Sequence, residues 1–387
     1  MHLMVIVEDR ISEWVSKGEI LDGYFNPSAA FETVTVFGLV GDRPDDTVLA
    51  RLCAPAQHRY IGAGIDRRRL MIATGGLQPG LLMRALRRLM LLIPPDQPAV
   101  VRAYGDGLAA AAAAAIGRDT AIPFAVSVHT TADQDIEARY LGLRDRLWRR
   151  LLRPSVHQAM IEANVILAAY TPILDHLPDE VFDKALVVPN VVGVASRPVI
   201  RARPNGPMRA LWLGRQMPGR DPRPIISALE ITPNVTLTLI GDGPLHELAR
   251  RAASGLGERV RFVRAMANDS LCASLIDYDV LVVNSGFREV PKTVMEAALS
   301  GLPVIINRLP AADSAEYSEL PVVFADATTR GFAGALRDLE SNASKHKVLA
   351  HETQDVAWRL WDPATVAARA AEVLREVAGD PGRNFDY

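Results

Sequence analysis

Residues 280–305 read VLVVNSGFREVPKTVMEAALSGLPVI, and this stretch decides the fold class. The apolar run VLVV predicts a strand that is buried on both faces of a parallel sheet. Pro291 and the segment KTVMEAALS predict a helix that begins shortly after that strand. Because LPVI predicts a further strand, the stretch reads as the strand–helix–strand unit of a parallel α/β sheet.

The same alternation of strands and helices extends over the rest of the chain. In the first half we predict strands over 3–7, 33–40, 58–61, 99–103, 124–129, 165–168 and 185–188. Helices are predicted over 80–92 and over the alanine run 109–115, which Gly117 would end as a C-cap. Later strands are predicted over 209–213, 235–240, 260–263, 280–284, 303–306 and 321–324.

With 387 residues the chain is long enough for two domains. The Pro- and Arg-rich stretch 194–207 is typical of an inter-domain linker. We therefore predict an α/β protein with two doubly wound, Rossmann-like domains, residues 1–195 and 196–362. A helix within 363–387 would either end the second domain or cross back to the first.

Charge and cysteine content exclude several classes of function. The formal net charge of −2 gives no general attraction to nucleic acid, so no nucleic-acid partner is expected. Cys53 and Cys272 lie too far apart for a metal-ligand spacing, and their isolation favours a reducing cytoplasm. No uncharged apolar stretch reaches the roughly 18–20 residues of a membrane span.

Two segments of the second domain are candidate phosphate sites. Arg215 and Arg220 follow a predicted strand, and two guanidinium groups on one loop suit the paired oxygens of a diphosphate. Pro291 would leave the N–H groups of Lys292, Thr293 and Val294 free at the start of a helix, where an anion binds well. We predict that these residues bind the diphosphate of a donor.

Carboxylates and a loop extend this candidate site. Glu296 lies just past the first turn of the predicted helix, where its carboxylate would accept hydrogen bonds from the hydroxyls of a ribose. Glu289, in the preceding loop, would do the same for sugar hydroxyls. The loop after strand 260–263 offers backbone groups to a base through Arg264, Ala265 and Met266. The turn LIGDGP lacks the third glycine of a dinucleotide-binding fingerprint, which disfavours a nicotinamide-dependent dehydrogenase.

The runs GRQMPGRDPRPIISAL, LTLIGDGPLHELAR and VLVVNSGFREVPKTVMEAALSGLPVI resemble the glycogen-synthase-like C-terminal donor domain of glycosyltransferase family 4. The resemblance spans residues 209–307 in order and spacing, and it implies the GT-B fold, in which two domains face each other across a cleft. It also implies a retaining, metal-independent transferase with a nucleotide-diphosphate sugar as co-substrate and no other cofactor. By this resemblance Arg215 and Arg220 bind the diphosphate, Glu296 the ribose and Glu289 the transferred sugar. His129 would line the active site from the first domain.

The sequence departs from the family at three places. Arg220 stands where the family usually has a lysine, which keeps the charge. Glu289 and Glu296 are seven positions apart and the family's pair is eight apart, so either Glu289 or Arg288 takes the first place. Residues 8–19 replace the family's glycine-rich first loop.

The acceptor is less well defined by the sequence. We expect a glycan, lipid-linked or small-molecule acceptor, with a role in bacterial surface polysaccharide or glycolipid synthesis. Residues 139–153 form an arginine-rich amphipathic segment with Trp148, which suits either peripheral contact with the inner face of the membrane or packing on the sheet. Asp133 and Asp135 have a DxD spacing, but three-residue matches arise by chance and no metal is expected. A non-catalytic sugar-nucleotide-binding module and a nucleotide-sugar epimerase remain alternatives.

Overall fold

The computed structural model describes residues 1–41, 43–93, 97–130, 142–203, 205–312 and 314–379. They form two compact units. Within the described ranges, the first unit contains the chain up to residue 130, residues 142–190 and residues 364–379, and the second contains residues 191–363. The change of unit at 190–191 falls before the predicted boundary at residue 195.

The first unit is built on a seven-stranded parallel sheet with the strand order β3-β2-β1-β4-β5-β6-β7. Its central strands are apolar and buried, as expected for a sheet covered on both faces. The strands are β1 (His2–Val7), β2 (Thr33–Gly38), β3 (Gln57–Gly62), β4 (Val100–Tyr104), β5 (Phe124–Val128), β6 (Val165–Ala168) and β7 (Ala185–Val187).

Among the described residues before 190, the α-helices are α1 (Ile11–Lys17), α2 (Asp46–Cys53), α3 (Arg67–Ala73), α4 (Pro79–Arg87), α5 (Leu108–Thr120) and α6 (Leu143–Glu162). The alanine run lies in α5, whose residues from Leu108 to Ile116 are all buried. The prediction that Gly117 ends this helix is wrong: α5 continues to Thr120, and Ala121 takes the left-handed conformation with φ 57°. A Cβ on Gly117 would lie 3.0 Å from the Phe124 ring, so close packing accounts for this glycine.

The second unit contains a six-stranded parallel sheet with the order β10-β9-β8-β11-β12-β13. Its strands are β8 (Met208–Leu213), β9 (Val235–Ile240), β10 (Val260–Val263), β11 (Val280–Val283), β12 (Val304–Asn307) and β13 (Val323–Ala325). The following helices are α7 (Arg223–Ala228), α8 (His246–Ala252), α9 (Asn268–Ser274), α10 (Lys292–Leu299), α11 (Ala315–Glu319), α12 (Thr329–Ser341) and α13 (Ala343–Trp361).

The segment predicted as a linker is bound to the second unit. Arg197 Nε donates to Gln354 Oε1 at 2.9 Å, and Arg203 Nη2 donates to the Glu340 carbonyl at 2.9 Å. This Pro- and Arg-rich segment therefore packs along the second unit, because its arginines donate hydrogen bonds to residues of α12 and α13.

The last helix, α14 (Pro363–Gly379), supplies core residues to the first unit. Ala370, Val373, Leu374 and Val377 are buried in the same cluster as the apolar residues of β1 and β2. Arg375 Nη2 also donates to the carbonyl of Ala30 at 3.0 Å. The apolar stripe of α14 is thus covered by the first unit, where its burial stabilises the helix.

Candidate functional site

The carboxyl ends of β8 and β9 carry two loops that pack directly on one another. Gln216 N–H donates to the Asp242 carbonyl at 2.9 Å, and Gln216 Nε2 donates to the Gly241 carbonyl at 2.9 Å. A Cβ on Gly241, at φ 133°, would lie 1.9 Å from the Gly214 carbonyl oxygen. A Cβ on Gly243 would likewise lie 2.4 Å from the Gln216 carbonyl oxygen, so both glycines of this turn are needed for the approach of the loop that carries Arg215.

Arg220 and Glu289 form a two-point ion pair in this unit. Arg220 Nε donates to Glu289 Oε1 at 3.0 Å, and Arg220 Nη2 donates to Oε2. The guanidinium carbon also lies 4.9 Å from the centre of the Phe287 ring. Since the Glu289 side chain is only 5% exposed, Arg220 is the cation that neutralises a buried carboxylate.

The loop that carries Glu289 is fixed by two residues that sequence reasoning missed. Ser285 Oγ donates to Glu289 Oε1 at 2.8 Å. The Asn307 side chain accepts from the Ser285 N–H at 2.8 Å and donates to the Ser285 carbonyl at 2.7 Å. Both residues lie at strand ends, Ser285 after β11 and Asn307 at the end of β12, and this position is the signal that could have identified them.

Glu289, and not Arg288, is the residue that this network holds beside Arg220. Arg288 is half-buried and has its own partners. The structure therefore brings two of the predicted site residues together, although 69 positions separate them in the chain.

The start of α10 differs from the prediction at one residue. Pro291 precedes the helix as its N-cap, and the Val294 N–H donates to the Pro291 carbonyl at 2.9 Å. The Val294 amide is therefore not free for a phosphate, because the first turn is tightened by this bond across three residues. Lys292 and Thr293, both half-buried, lie at the N-terminal end where the helix dipole favours an anion.

Glu296 lies inside α10 and is almost fully buried, with 2% of its surface exposed. Asn268 Nδ2 donates to Glu296 Oε1 at 2.8 Å, and the Gly193 N–H also donates to this carboxylate. Burial raises the pKa of Glu296, although these hydrogen bonds and the charge of Lys292 oppose the shift. Asn268 begins α9, so it is a further residue at the predicted site.

The remaining residues of the predicted donor site are more open. Arg215 is exposed and has no ion-pair or hydrogen-bond partner within the described parts of the chain. Arg264 is also exposed, with its guanidinium 3.8 Å from Asp242. Ala265 is exposed, and Met266 is half-buried with its sulfur 3.8 Å from Ser274 Oγ. These residues leave donor groups accessible at the carboxyl ends of β8 and β10.

In the first unit, His129 follows β5 directly. Its Nδ1 is 2.8 Å from Asn190 Oδ1, and its ring lies 4.3 Å from the ring of Tyr104. Burial raises the pKa of Tyr104, whose hydroxyl donates to Tyr24. The guanidinium of Arg102 lies 5.4 Å from the Tyr104 ring. His129 is therefore held in one orientation by an amide and an aromatic ring, neither of which the sequence had placed beside it.

Glu8, from the segment 8–19, lies at the start of α5. Its Oε2 accepts from the Leu108 N–H at 2.6 Å, and its Oε1 accepts from Arg67 Nη2 at 2.8 Å. A Cβ on Gly107 would lie 2.3 Å from Oε2. Burial raises the pKa of Glu8, against the effect of Arg67. This carboxylate thus occupies the N-terminus of α5, where the helix dipole favours a negative charge.

The structure also bears on the tryptophan of the arginine-rich segment, on the DxD spacing and on membrane spans. Trp148 is buried, with Arg67 5.3 Å from its ring centre, so this side chain follows the alternative of packing against the first unit and does not itself face a membrane. Asp133, Asp135 and residues 139–141 lie outside the described residues. Within the described residues there is no group of three or more His, Cys, Asp or Glu side chains that could hold a metal. None of their helices is long and apolar enough to cross a membrane.

Residues 223–342 match the family model described as Glycosyl transferases group 1. This segment contains Glu289 and Glu296, whereas Arg215 and Arg220 precede it. A curated relative, the 2-deoxystreptamine N-acetyl-D-glucosaminyltransferase of Streptomyces fradiae, is 26% identical over 54% of this chain and 54% of its own. The chain therefore spans about half the length of the curated relative it matches.

Solved structures resemble the whole chain. The sucrose-phosphate synthase of Thermosynechococcus elongatus has a TM-score of 0.72 and 14% identity, with 98% of this chain and 99% of that chain covered. HepE of Anabaena, solved in complex with UDP-glucose, has a TM-score of 0.68 and 15% identity, with 97% and 100% covered. The fold is that of the GT-B glycosyltransferases, and the predicted fold class of two parallel α/β domains is confirmed.

Proposed function

We propose that this protein is a glycosyltransferase that moves a sugar from a nucleoside-diphosphate sugar to an acceptor with retention of configuration. The observation that carries the proposal is the arrangement around Glu289. This buried carboxylate is paired with Arg220, and α10, which holds the buried Glu296, begins shortly after it. Cations for a diphosphate and carboxylates for sugar hydroxyls are the groups that such a donor requires.

For the donor we propose a UDP-sugar. HepE of Anabaena, which has the same fold, was solved in complex with UDP-glucose. The curated relative is named as an N-acetylglucosaminyltransferase. In our proposal Glu296 accepts hydrogen bonds from the ribose hydroxyls and the loop of Arg264, Ala265 and Met266 contacts the base.

The chemical step needs stabilisation of the negative charge that develops on the departing diphosphate. Arg215, which is exposed, and Arg220 would supply two guanidinium groups. Lys292 and Thr293 would place the N-terminal end of α10, where the helix dipole favours an anion, beside the diphosphate. We propose that Glu289 then accepts hydrogen bonds from the hydroxyls of the transferred sugar. A phosphate oxygen of the leaving group takes the proton of the acceptor, so the reaction requires neither a strong protein base nor a metal. His129 orients the sugar.

For the acceptor we propose a small molecule that carries hydroxyl and amino groups. The curated relative is named for its action on 2-deoxystreptamine, which supports a small polar acceptor. A glycan or a lipid-linked acceptor in surface polysaccharide or glycolipid synthesis is the alternative. A reducing cytoplasm fits the two cysteines, which are both unpaired.

The lipid-linked alternative has one structural feature in its favour. The first turns of α6 expose Leu143 and Leu147 together with Arg146, Arg149 and Arg150. We propose that this surface contacts anionic lipid from the cytoplasmic side. Replacement of the three arginines by serine should abolish sedimentation with phosphatidylglycerol vesicles, and unchanged sedimentation would exclude this contact.

The test of the main proposal is a thermal-shift panel of UDP-, GDP- and ADP-sugars, followed by a hydrolysis assay on the best binder. A transferase should be stabilised by one donor and should release its nucleoside diphosphate. Stabilisation without turnover would indicate a non-catalytic binding module, and interconversion of the sugar without an acceptor would indicate an epimerase. If no donor raises the melting temperature, the proposal is wrong.

A further inference from the structure

A cavity of about 280 Å³ opens in the first unit between α4, α5 and α6. It is lined by residues from the later turns of α5, including Ala114 and Arg118. Because α5 begins at the carboxyl edge of the sheet, beside Glu8, these later turns lie toward the opposite edge. The cavity is thus distinct from the surroundings of His129, and its volume is close to the lower end of the roughly 300–1,000 Å³ of small-molecule sites.

Guanidinium groups dominate the polar part of the cavity wall. Arg84, Arg87 and Arg118 all line it. Arg87 is paired with Asp119 at 2.9 Å and Arg118 with Glu162, whereas Arg84 is exposed without an ion-pair partner within the described residues. Among the described residues these three positive charges are paired with two carboxylates, which leaves an excess of one cation at the cavity.

Ser155 supplies a buried hydroxyl group to the cavity wall. Ser155 also lines the cavity and is only 3% exposed, yet its Oγ has no hydrogen-bond partner among the residues that the structure describes. A buried polar group without a partner is costly, so native sites usually satisfy it with water or a ligand. The rest of the wall includes the apolar Met83 and Ala159, which suit an organic substituent.

We propose that this cavity binds a phosphate ester, with the phosphate between Arg84 and Ser155 and the organic part against Met83 and Ala159. Arginine matches the paired oxygens of a phosphate, and a hydroxyl donates to a third oxygen. The ester could be a free phosphorylated small molecule or the headgroup of a phospholipid. Both sources present the same chemistry to the cavity.

The test has a soluble arm and a vesicle arm, each with the full chain. In the soluble arm, calorimetry measures binding of glycerol 3-phosphate and of inorganic phosphate at constant ionic strength. We expect Arg84→Gln to weaken binding of the ester about tenfold or more, and Ser155→Ala to weaken it several-fold. Arg337→Gln, which removes an exposed charge from α12 of the second unit, should leave binding unchanged.

In the vesicle arm, flotation with phosphatidylcholine vesicles is measured with and without phosphatidylglycerol. Ser155→Ala is the decisive variant there, since it changes no charge and leaves the arginines of α6 in place. Weaker flotation of this variant identifies a lipid headgroup, and weaker calorimetric binding identifies a free ester. If wild type and both variants have the same calorimetric affinity and the same flotation with vesicles, the proposal is overturned. If Arg84→Gln does not fold, the comparison of Ser155→Ala with wild type decides.

Discussion

The Arg220 guanidinium donates hydrogen bonds to both carboxylate oxygens of Glu289, and the same guanidinium lies over the Phe287 ring. The pair places a cation at the carboxyl edge of the second sheet without leaving the Glu289 carboxylate uncompensated. The pair engages the Nε and Nη2 groups of Arg220. Because a guanidinium has five N–H donors, a diphosphate could bind the other N–H groups in the proposed function while Glu289 stays paired.

The ion pair should be visible in a double-mutant cycle. Arg220→Met should lower the free energy of unfolding by about 2 kcal/mol, because it leaves a buried carboxylate without its cation. Glu289→Gln should also destabilise the protein, and the double variant should be more stable than the sum of the two losses predicts, by roughly 0.5 kcal/mol or more. Urea denaturation without donor measures all four proteins, and strictly additive losses would contradict the coupling.

Arg215 should contribute to donor affinity and not to stability. Its side chain is exposed and lacks a partner within the described ranges, so Arg215→Ala should change the free energy of unfolding by less than about 0.5 kcal/mol. Loss of a charge-assisted contact to a diphosphate should weaken UDP binding about tenfold in calorimetry. Arg251→Ala, at an exposed position of α8, is the control, and equal UDP affinity of both variants would remove Arg215 from the donor site.

Glu296 predicts a dependence of stability on pH. Its folded-state pKa is raised above the ordinary value of 4.5 by burial, so the folded state holds this proton more tightly than the unfolded state. Its favourable contribution is complete below about pH 4.5 and is lost as the pH rises through the raised pKa. Glu296→Gln cannot ionise, and its stability relative to wild type should improve from about pH 4 to pH 8.

Urea denaturation of wild type and Glu296→Gln across this pH range measures the difference. Glu247→Gln, at an exposed position of α8, is the matched control and should follow wild type more closely. A difference between Glu296→Gln and wild type that stays constant with pH would mean that the Glu296 pKa is not raised. The same variant should also bind UDP more weakly, if Glu296 accepts the ribose hydroxyls.

Gly241 should tolerate no side chain. With φ 133° and a hypothetical Cβ 1.9 Å from the Gly214 carbonyl oxygen, Gly241→Ala should lower the free energy of unfolding by about 2 kcal/mol or more. Gly334→Ala is the matched control in α12, where a Cβ meets nothing within 4 Å. Because alanine favours a helix over glycine, this change should stabilise the protein by about 0.5–1 kcal/mol in thermal denaturation. Equal effects of the two substitutions would contradict the packing of the two loops.

His129 should affect turnover more than donor binding. If the imidazole only orients the sugar, His129→Ala should lower kcat about a hundredfold and leave the dissociation constant of UDP unchanged. The dependence of kcat on pH should then have the same shape in wild type and in the variant. If wild type shows a titration step in kcat that the variant lacks, His129 carries a proton in the reaction.

The sequence predicted the strands of both sheets closely, because a buried parallel strand is a local apolar run. Residues 165–168, for example, were predicted as they are observed in the fully buried strand β6. Helix ends were predicted less well: Gly117 lies inside α5, since its lack of a side chain serves the packing of Phe124 and not a turn. Trp148 is buried because α6 turns this face toward Arg67, and spacing alone does not indicate that direction.

By itself the sequence determined the α/β class, the two domains and the set of candidate residues, because each depends on short-range patterns of apolar and polar side chains. Only the tertiary structure decided that Glu289 pairs with Arg220, that Ser285 and Asn307 fix its loop, and that the Val294 amide is already bonded. These facts depend on strand order and on the direction of each side chain. Residues far apart in the chain meet there through the sheet, and no local pattern records which partner each will take.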